Sequence, residues 1–97
     1  MDYRCSQGFS IDVDQSGRMF HVRPDGTPAY EERFEWLGSF HENLARARKD
    51  GKWFHIHPDG TPAYKEKYNE IGNFEKGVAW VVKDGKSFCI RHDGSVI

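Results

Sequence analysis

The chain has 97 residues and a formal net charge of −1, with 14 basic against 15 acidic side chains. That length supports one small core, and the balanced charge argues against a generic binder of phosphate backbones, which carries a basic excess. Apolar residues make up only 37% but aromatics 14%, so a few large rings must supply much of the core.

At the amino terminus, "MDYRCSQG" lacks the apolar stretch of a secretory leader. No apolar run approaches the ~20 residues of a membrane-crossing helix. Cys5 and Cys89 have neither metal-ligand nor redox spacing, so they read as free thiols and favour a cytoplasmic location.

From Gly17 the chain repeats itself. Residues 17–50 return as 51–84 with 16 of 34 positions identical, and a third copy begins at Gly85. The anchor phrase reads "FHVRPDGTPAY" from Phe20, "FHIHPDGTPAY" from Phe54 and "FCIRHDGSVI" from Phe88. A fixed period of this size marks a repeat architecture, in which each unit buries its apolar side against the next. The units are a partial 9–16, then 17–50, 51–84 and a partial 85–97. Together they are read as one β-repeat domain over 1–97, expected to belong to a longer array.

Taken in chain order, each unit contains two turn signals. The first is "KDGK" at Lys49–Lys52 and Lys83–Lys86, with the variant "QSGR" at Gln15–Arg18. These residues tolerate the positive φ of a tight hairpin. With Asp50-Gly51 as a two-residue loop, Ala47 faces Phe54 and Ala45 faces Ile56. The same choice sets Val81 opposite Phe88, Ala79 opposite Ile90, Val13 opposite Phe20 and Ile11 opposite Val22. One register therefore predicts an apolar side for all three hairpins, and a one-residue slip would destroy it.

The second signal, "PDGT" or "HDGS", is followed by Ala29-Tyr30 and Ala63-Tyr64, which predict a short third strand. Pro28 and Pro62 cannot donate to a ladder, so that strand belongs at an edge. "EERFEWLGSFHEN" (31–43) and "KEKYNEIGNFEKG" (65–77) then predict an irregular connector or one helical turn, because they are short and interrupted by glycine. Phe34/Tyr68, Leu37/Ile71 and Phe40/Phe74 are expected to plug the seam between units. Gly38 and Gly72 are expected to permit positive φ or a close approach. The fold class is all-β: tandem antiparallel β-hairpin repeats with about three short strands per 34-residue unit, forming an open array or a small propeller-like closure.

The segments "DGKWFHIHPDG" (50–60) and "YNEIGNFEKGVAWVVKDGK" (68–86) resemble the bacterial WG (KWG) repeats, over roughly residues 9–97. Where that family often has Trp-Gly, this chain reads Met19-Phe20, Trp53-Phe54 and Ser87-Phe88. The resemblance implies an all-β repeat array, often within a longer protein, and carries over no catalytic residue.

Candidates for chemistry lie on the side of the hairpins that the register turns outward. Arg46 sits opposite His55, Arg48 opposite Trp53, Asp12 opposite His21 and Trp80 opposite Cys89. His55 and His57 share a side and form half of a metal site, but no third ligand is evident, Arg46 repels a cation, and Arg23 replaces His57 in the first copy. The histidines are read instead as polar partners stacking on Tyr30 and Tyr64. Arg46, Arg48, Lys52 and Trp53 form an aromatic-basic patch that is not repeated along the array, which argues against tracking a nucleic acid. Trp36, Trp53, Trp80, Tyr30 and Tyr64 could serve as carbohydrate or small-ligand platforms. Trp36 becomes Glu70 in the next copy, which marks it as partly exposed. No motif for a phosphate loop, activated nucleophile or metalloprotease is present.

The sequence is expected to encode a non-catalytic protein-interaction or scaffold module without metal or cofactor, whose partner is another protein or a second copy. Its outward side is centred on Arg46, Arg48, Trp53, His55, Val78, Trp80 and Val82. The alternative is binding of a carbohydrate or small ligand through the exposed aromatics.

Overall fold

A computed structural model describes residues 8–97, so the expectation for Cys5 lies outside the described residues. Eight strands form three antiparallel sheets, with no helix among the described residues. The first sheet pairs β1 (Ser10–Val13) with β2 (Met19–Val22). The second orders β3 (Trp36–His41), β4 (Leu44–Lys49) and β5 (Lys52–Ile56). The third repeats it with β6 (Glu70–Ile71), β7 (Ala79–Lys83) and β8 (Lys86–Ile90). The architecture is therefore all-β, built from hairpin repeats, and its ladders do not close into a barrel.

Turn chemistry sets two of the hairpins as the sequence predicts. Asp50-Gly51 have φ of 54° and 76°, and Asp84-Gly85 have 51° and 80°. Two successive positive φ values define the turn whose twist matches that of the strands. The resulting pairs include Ala47↔Phe54, Ala45↔Ile56, Val81↔Phe88 and Ala79↔Ile90.

The first hairpin departs from this register. Its pairs are Ile11↔His21, Asp12↔Phe20 and Val13↔Met19, one residue away from the expected Ile11–Val22, Asp12–His21 and Val13–Phe20. Ser16 stands where the other copies have aspartate, which adopts positive φ more readily than serine. The loop therefore widens to three residues, Gln15-Ser16-Gly17, and of these only Gly17 has positive φ, at 87°. Asp14 Oδ1 secures this loop by accepting from Ser16 N at 2.9 Å, Ser16 Oγ at 2.7 Å and Arg18 N at 3.0 Å. The slip leaves Val13 52% exposed, as a period-two strand must when its register moves by one.

The connector also differs from expectation. Ala29-Tyr30 and Ala63-Tyr64 form no strand; a single bridge at Val22↔Pro28 and another at Ile56↔Pro62 stand in its place, because proline offers no N–H to continue a ladder. The third strand comes later, as β3 and its short counterpart β6. Leu37 and Phe40 are three apart and would point to opposite sides of a regular strand. Between them the β3–β4 register shifts, so that Gly38 and Ser39 together oppose Arg46. This bulge returns both large side chains to the core, each 1% exposed.

Successive sheets are stitched by the chain entering each third strand. Phe34 exchanges two hydrogen bonds with Met19 of β2 before the next residue, Glu35, donates to Arg48 of β4. Tyr68 does the same with Trp53, before Asn69 donates to Val82. Phe34, Tyr68, Leu37, Ile71, Phe40 and Phe74 are all buried, filling the seams as expected. Each large side chain fully withdrawn from water is worth roughly 1.5–3 kcal/mol. Units also stack through the second turn: a Cβ on Gly60 would lie 2.6 Å from Tyr30 Cγ, and one on Gly94 2.5 Å from Tyr64 Cβ. Only glycine admits so close an approach.

Candidate interaction face

His55 is absent from the surface: both it and His21 are 0% exposed. Pairing places His55 opposite Arg46 as expected, but the next unit crosses over that side of β5. His55 Nε2 lies 2.9 Å from the Gly72 carbonyl oxygen, and its ring centroid is 4.4 Å from that of Phe74. His21 repeats the contact with the Gly38 carbonyl at 2.9 Å and Phe40 at 4.3 Å. A carbonyl can only accept, so Nε2 carries the proton and donates. The other nitrogen, Nδ1, then accepts from Tyr64 Oη in one unit and Tyr30 Oη in the other, each at 2.6 Å. Both rings also meet their tyrosine edge-on at 5.7 Å.

These clasps tie each hairpin to its following turn and to the next unit. Burial pushes both imidazoles down, His55 to about 4, where the nearby Arg46 charge acts in the same direction and the Gly72 carbonyl opposes it. Burial raises the Tyr30 and Tyr64 hydroxyls above their ordinary range. With both ring nitrogens of His55 engaged, the His55–His57 pair presents no joint ligand set.

The aromatic-basic row lies where the register puts it. Trp36, Arg48 and Trp53 stand side by side across β3, β4 and β5. The Trp36 and Trp53 rings meet at 5.4 Å, and the Arg46 guanidinium lies 5.0 Å from the Trp36 ring centre. Arg48 is paired with Glu35 at 3.9 Å, and Glu35 in turn accepts from the backbone of Asp50 at 2.8 Å. Trp53 is half-buried, while Trp36 is 37% exposed, as its replacement by Glu70 suggested.

On the third sheet Val78, Trp80 and Val82 occupy alternate positions and so share a side. Trp80 is 50% exposed and the two valines are half-buried. The indole lies over Gly72, where an added Cβ would collide with its Nε1 and Cδ1; close approach, rather than positive φ, is the need this glycine meets. Arg46, Val78 and Trp80 come together around one cavity of about 460 Å³. The structure thus joins three of the seven predicted residues at one site, sets Arg48 and Trp53 in the neighbouring row, and places Val82 two positions beyond Trp80 along β7. Only His55 is withdrawn.

One link between units escaped the sequence reading. Glu42, at φ 55° in the β3–β4 turn, accepts from Gly77 N and His92 Nε2, both at 2.9 Å. His92, then Gly77, hold the Glu42 carboxyl below its usual range. The signal available was the glutamate in a turn position that the next copy fills with Lys76.

The repeat pattern corresponds to a known family: residues 24–53 and 56–86 each match the WG containing repeat. No curated protein matches the chain.

Proposed function

The chain belongs to the WG containing repeat family, and from that premise we propose that this β-repeat domain is a non-catalytic platform for docking a protein partner or a second copy. The carrying observation is Trp80. Its indole is half exposed, lies close over Gly72, and is flanked by Val78 just before β7 and Val82 within it. A large ring already fixed in place loses little freedom on binding, and such anchors dominate interfaces. Trp36 and the paired Arg48 extend the surface across the second sheet, giving an apolar centre with a charged rim. The buried histidines support the non-catalytic reading, since their ring nitrogens are spent on structural hydrogen bonds.

The test compares wild type with Trp80→Ala, both for self-association by light scattering across a tenfold concentration range and for retention of binding proteins. Loss of the anchor should weaken association by about 2 kcal/mol or more. Unchanged association by a folded Trp80→Ala protein would remove the proposal.

A further inference from the structure

We propose that the cavity beside Trp80 is a binding site for a small zwitterion of the α-amino-acid class carrying an apolar side chain. At about 460 Å³ it falls within the roughly 300–1,000 Å³ of small-molecule sites. This goes beyond the docking surface and does not depend on it.

Two opposite charges line the cavity: Arg46 from β4 and Glu75 from the connector preceding β7. Among the described residues neither side chain has an ion pair or hydrogen bond, unlike Arg48–Glu35, Arg33–Asp14 and His92–Glu42. Arg46 is half-buried, and its Nε is shielded from water without a partner. The guanidinium rests on the Trp36 ring, and a bound counter-charge at its two outer nitrogens supplies the hydrogen bonds that this contact does not. The ladder does not require arginine at this position, because the next unit places Trp80 there and the first places Asp12. Asn73, also on the wall, has its Oδ1 buried and unpartnered. Both atoms are closed off from the cavity, so what a ligand meets is the outer pair of guanidinium nitrogens of Arg46 and the Glu75 carboxylate.

A ligand with only a carboxylate would satisfy Arg46 and be repelled by Glu75; one with only an ammonium would meet the reverse. A zwitterion answers both. Its carboxylate accepts from the Arg46 guanidinium, whose planar fork suits that group. Its ammonium donates to the Glu75 carboxylate. Its apolar side chain packs on the Trp80 indole and Val78, the hydrophobic part of the lining.

The experiment titrates the ¹⁵N-labelled chain with L-leucine, following the Arg46 Nε–H and Trp80 Nε1–H signals. Controls are 4-methylpentanoate, which lacks the ammonium, and 3-methylbutylamine, which lacks the carboxylate. Saturable movement of both signals is expected with L-leucine, about tenfold or more weaker with each control. Arg46→Gln and Glu75→Gln should weaken L-leucine binding to a similar degree, with Trp80 Nε1–H as the reporter in the first. Glu75 is exposed, so its variant keeps the test sound should Arg46→Gln disturb the fold. Absence of saturation, equal binding of either control, or unchanged binding by Glu75→Gln would overturn the assignment. Because the probe is read on the chain alone, any of these results leaves the platform proposal standing.

Discussion

Acid should loosen this domain well before its carboxylates protonate, and His55 sets the scale. Unfolded, a histidine titrates near 6.5; folded, His55 titrates at about 4 because burial disfavours its charged form. Above pH 6.5 both states are neutral and the clasp contributes fully. Between 6.5 and 4 the unfolded chain binds a proton that the native fold refuses, so stability falls as pH falls. Integrating that difference from pH 7.5 to 4.5 gives a loss of about 2.5 kcal/mol from His55 alone. His21, shifted in the same direction by the same burial, adds to it. The lowered carboxyls of Asp14, Asp25, Asp59 and Asp93 lose their contribution at more acid pH. Urea unfolding followed by tryptophan fluorescence at half-unit steps measures the curve. His55→Gln can still donate to the Gly72 carbonyl but cannot titrate, so its curve should be shallower by about 2.5 kcal/mol over this range. An unchanged slope in His55→Gln would refute the clasp as the source.

Other expectations follow from the glycines and the exposed ring. Gly60→Ala and Gly26→Ala share nearly the same φ, 87° and 90°, but only Gly60 abuts a tyrosine, Gly26 facing open space. Both should lose about 1–2 kcal/mol to backbone strain, and Gly60→Ala a further ~1–3 kcal/mol from overpacking; equal midpoints in urea would deny the Tyr30–Gly60 stacking. Gly72→Ala should displace the Trp80 indole and shift its fluorescence, whereas Gly38→Ala, whose nearest neighbour would be Trp36 at 3.3 Å, should perturb the fold less. Trp80→Ala should weaken partner or self-association by about 2 kcal/mol, with an unfolding midpoint showing that the chain remains folded. L-leucine should move the Arg46 and Trp80 signals saturably while its one-charge analogues bind far more weakly.

Much of the molecule was legible in short stretches of sequence. Asp-Gly at 50–51 and 84–85 dictates a two-residue turn through its tolerance of positive φ, and that turn sets every pair of its hairpin. Repetition at 34 residues exposed the units, the seam residues and the family. Ser16 shows the limit of the same logic: one residue less tolerant of positive φ widened the loop, and Asp14 stabilised the alternative. Shortness and an interrupting glycine suggested an irregular connector or one helical turn over 31–43, whereas a bulge between Leu37 and Phe40 lets the same stretch run as a strand.

Only the tertiary structure decided which outward positions stay outward. His55 and Trp80 lie on corresponding sides of neighbouring hairpins, yet one is in the core and the other half exposed. The difference is the Gly72–Phe74 segment, which crosses over β5 and offers His55 a carbonyl and a ring. Alternation along a strand fixes the side a residue takes. Whether water reaches that side depends on a segment 17 residues further along, and pairing rules within the hairpin contain no term for it. The cavity has the same origin: Arg46 and Glu75 belong to different units, and their proximity exists only after the units have stacked.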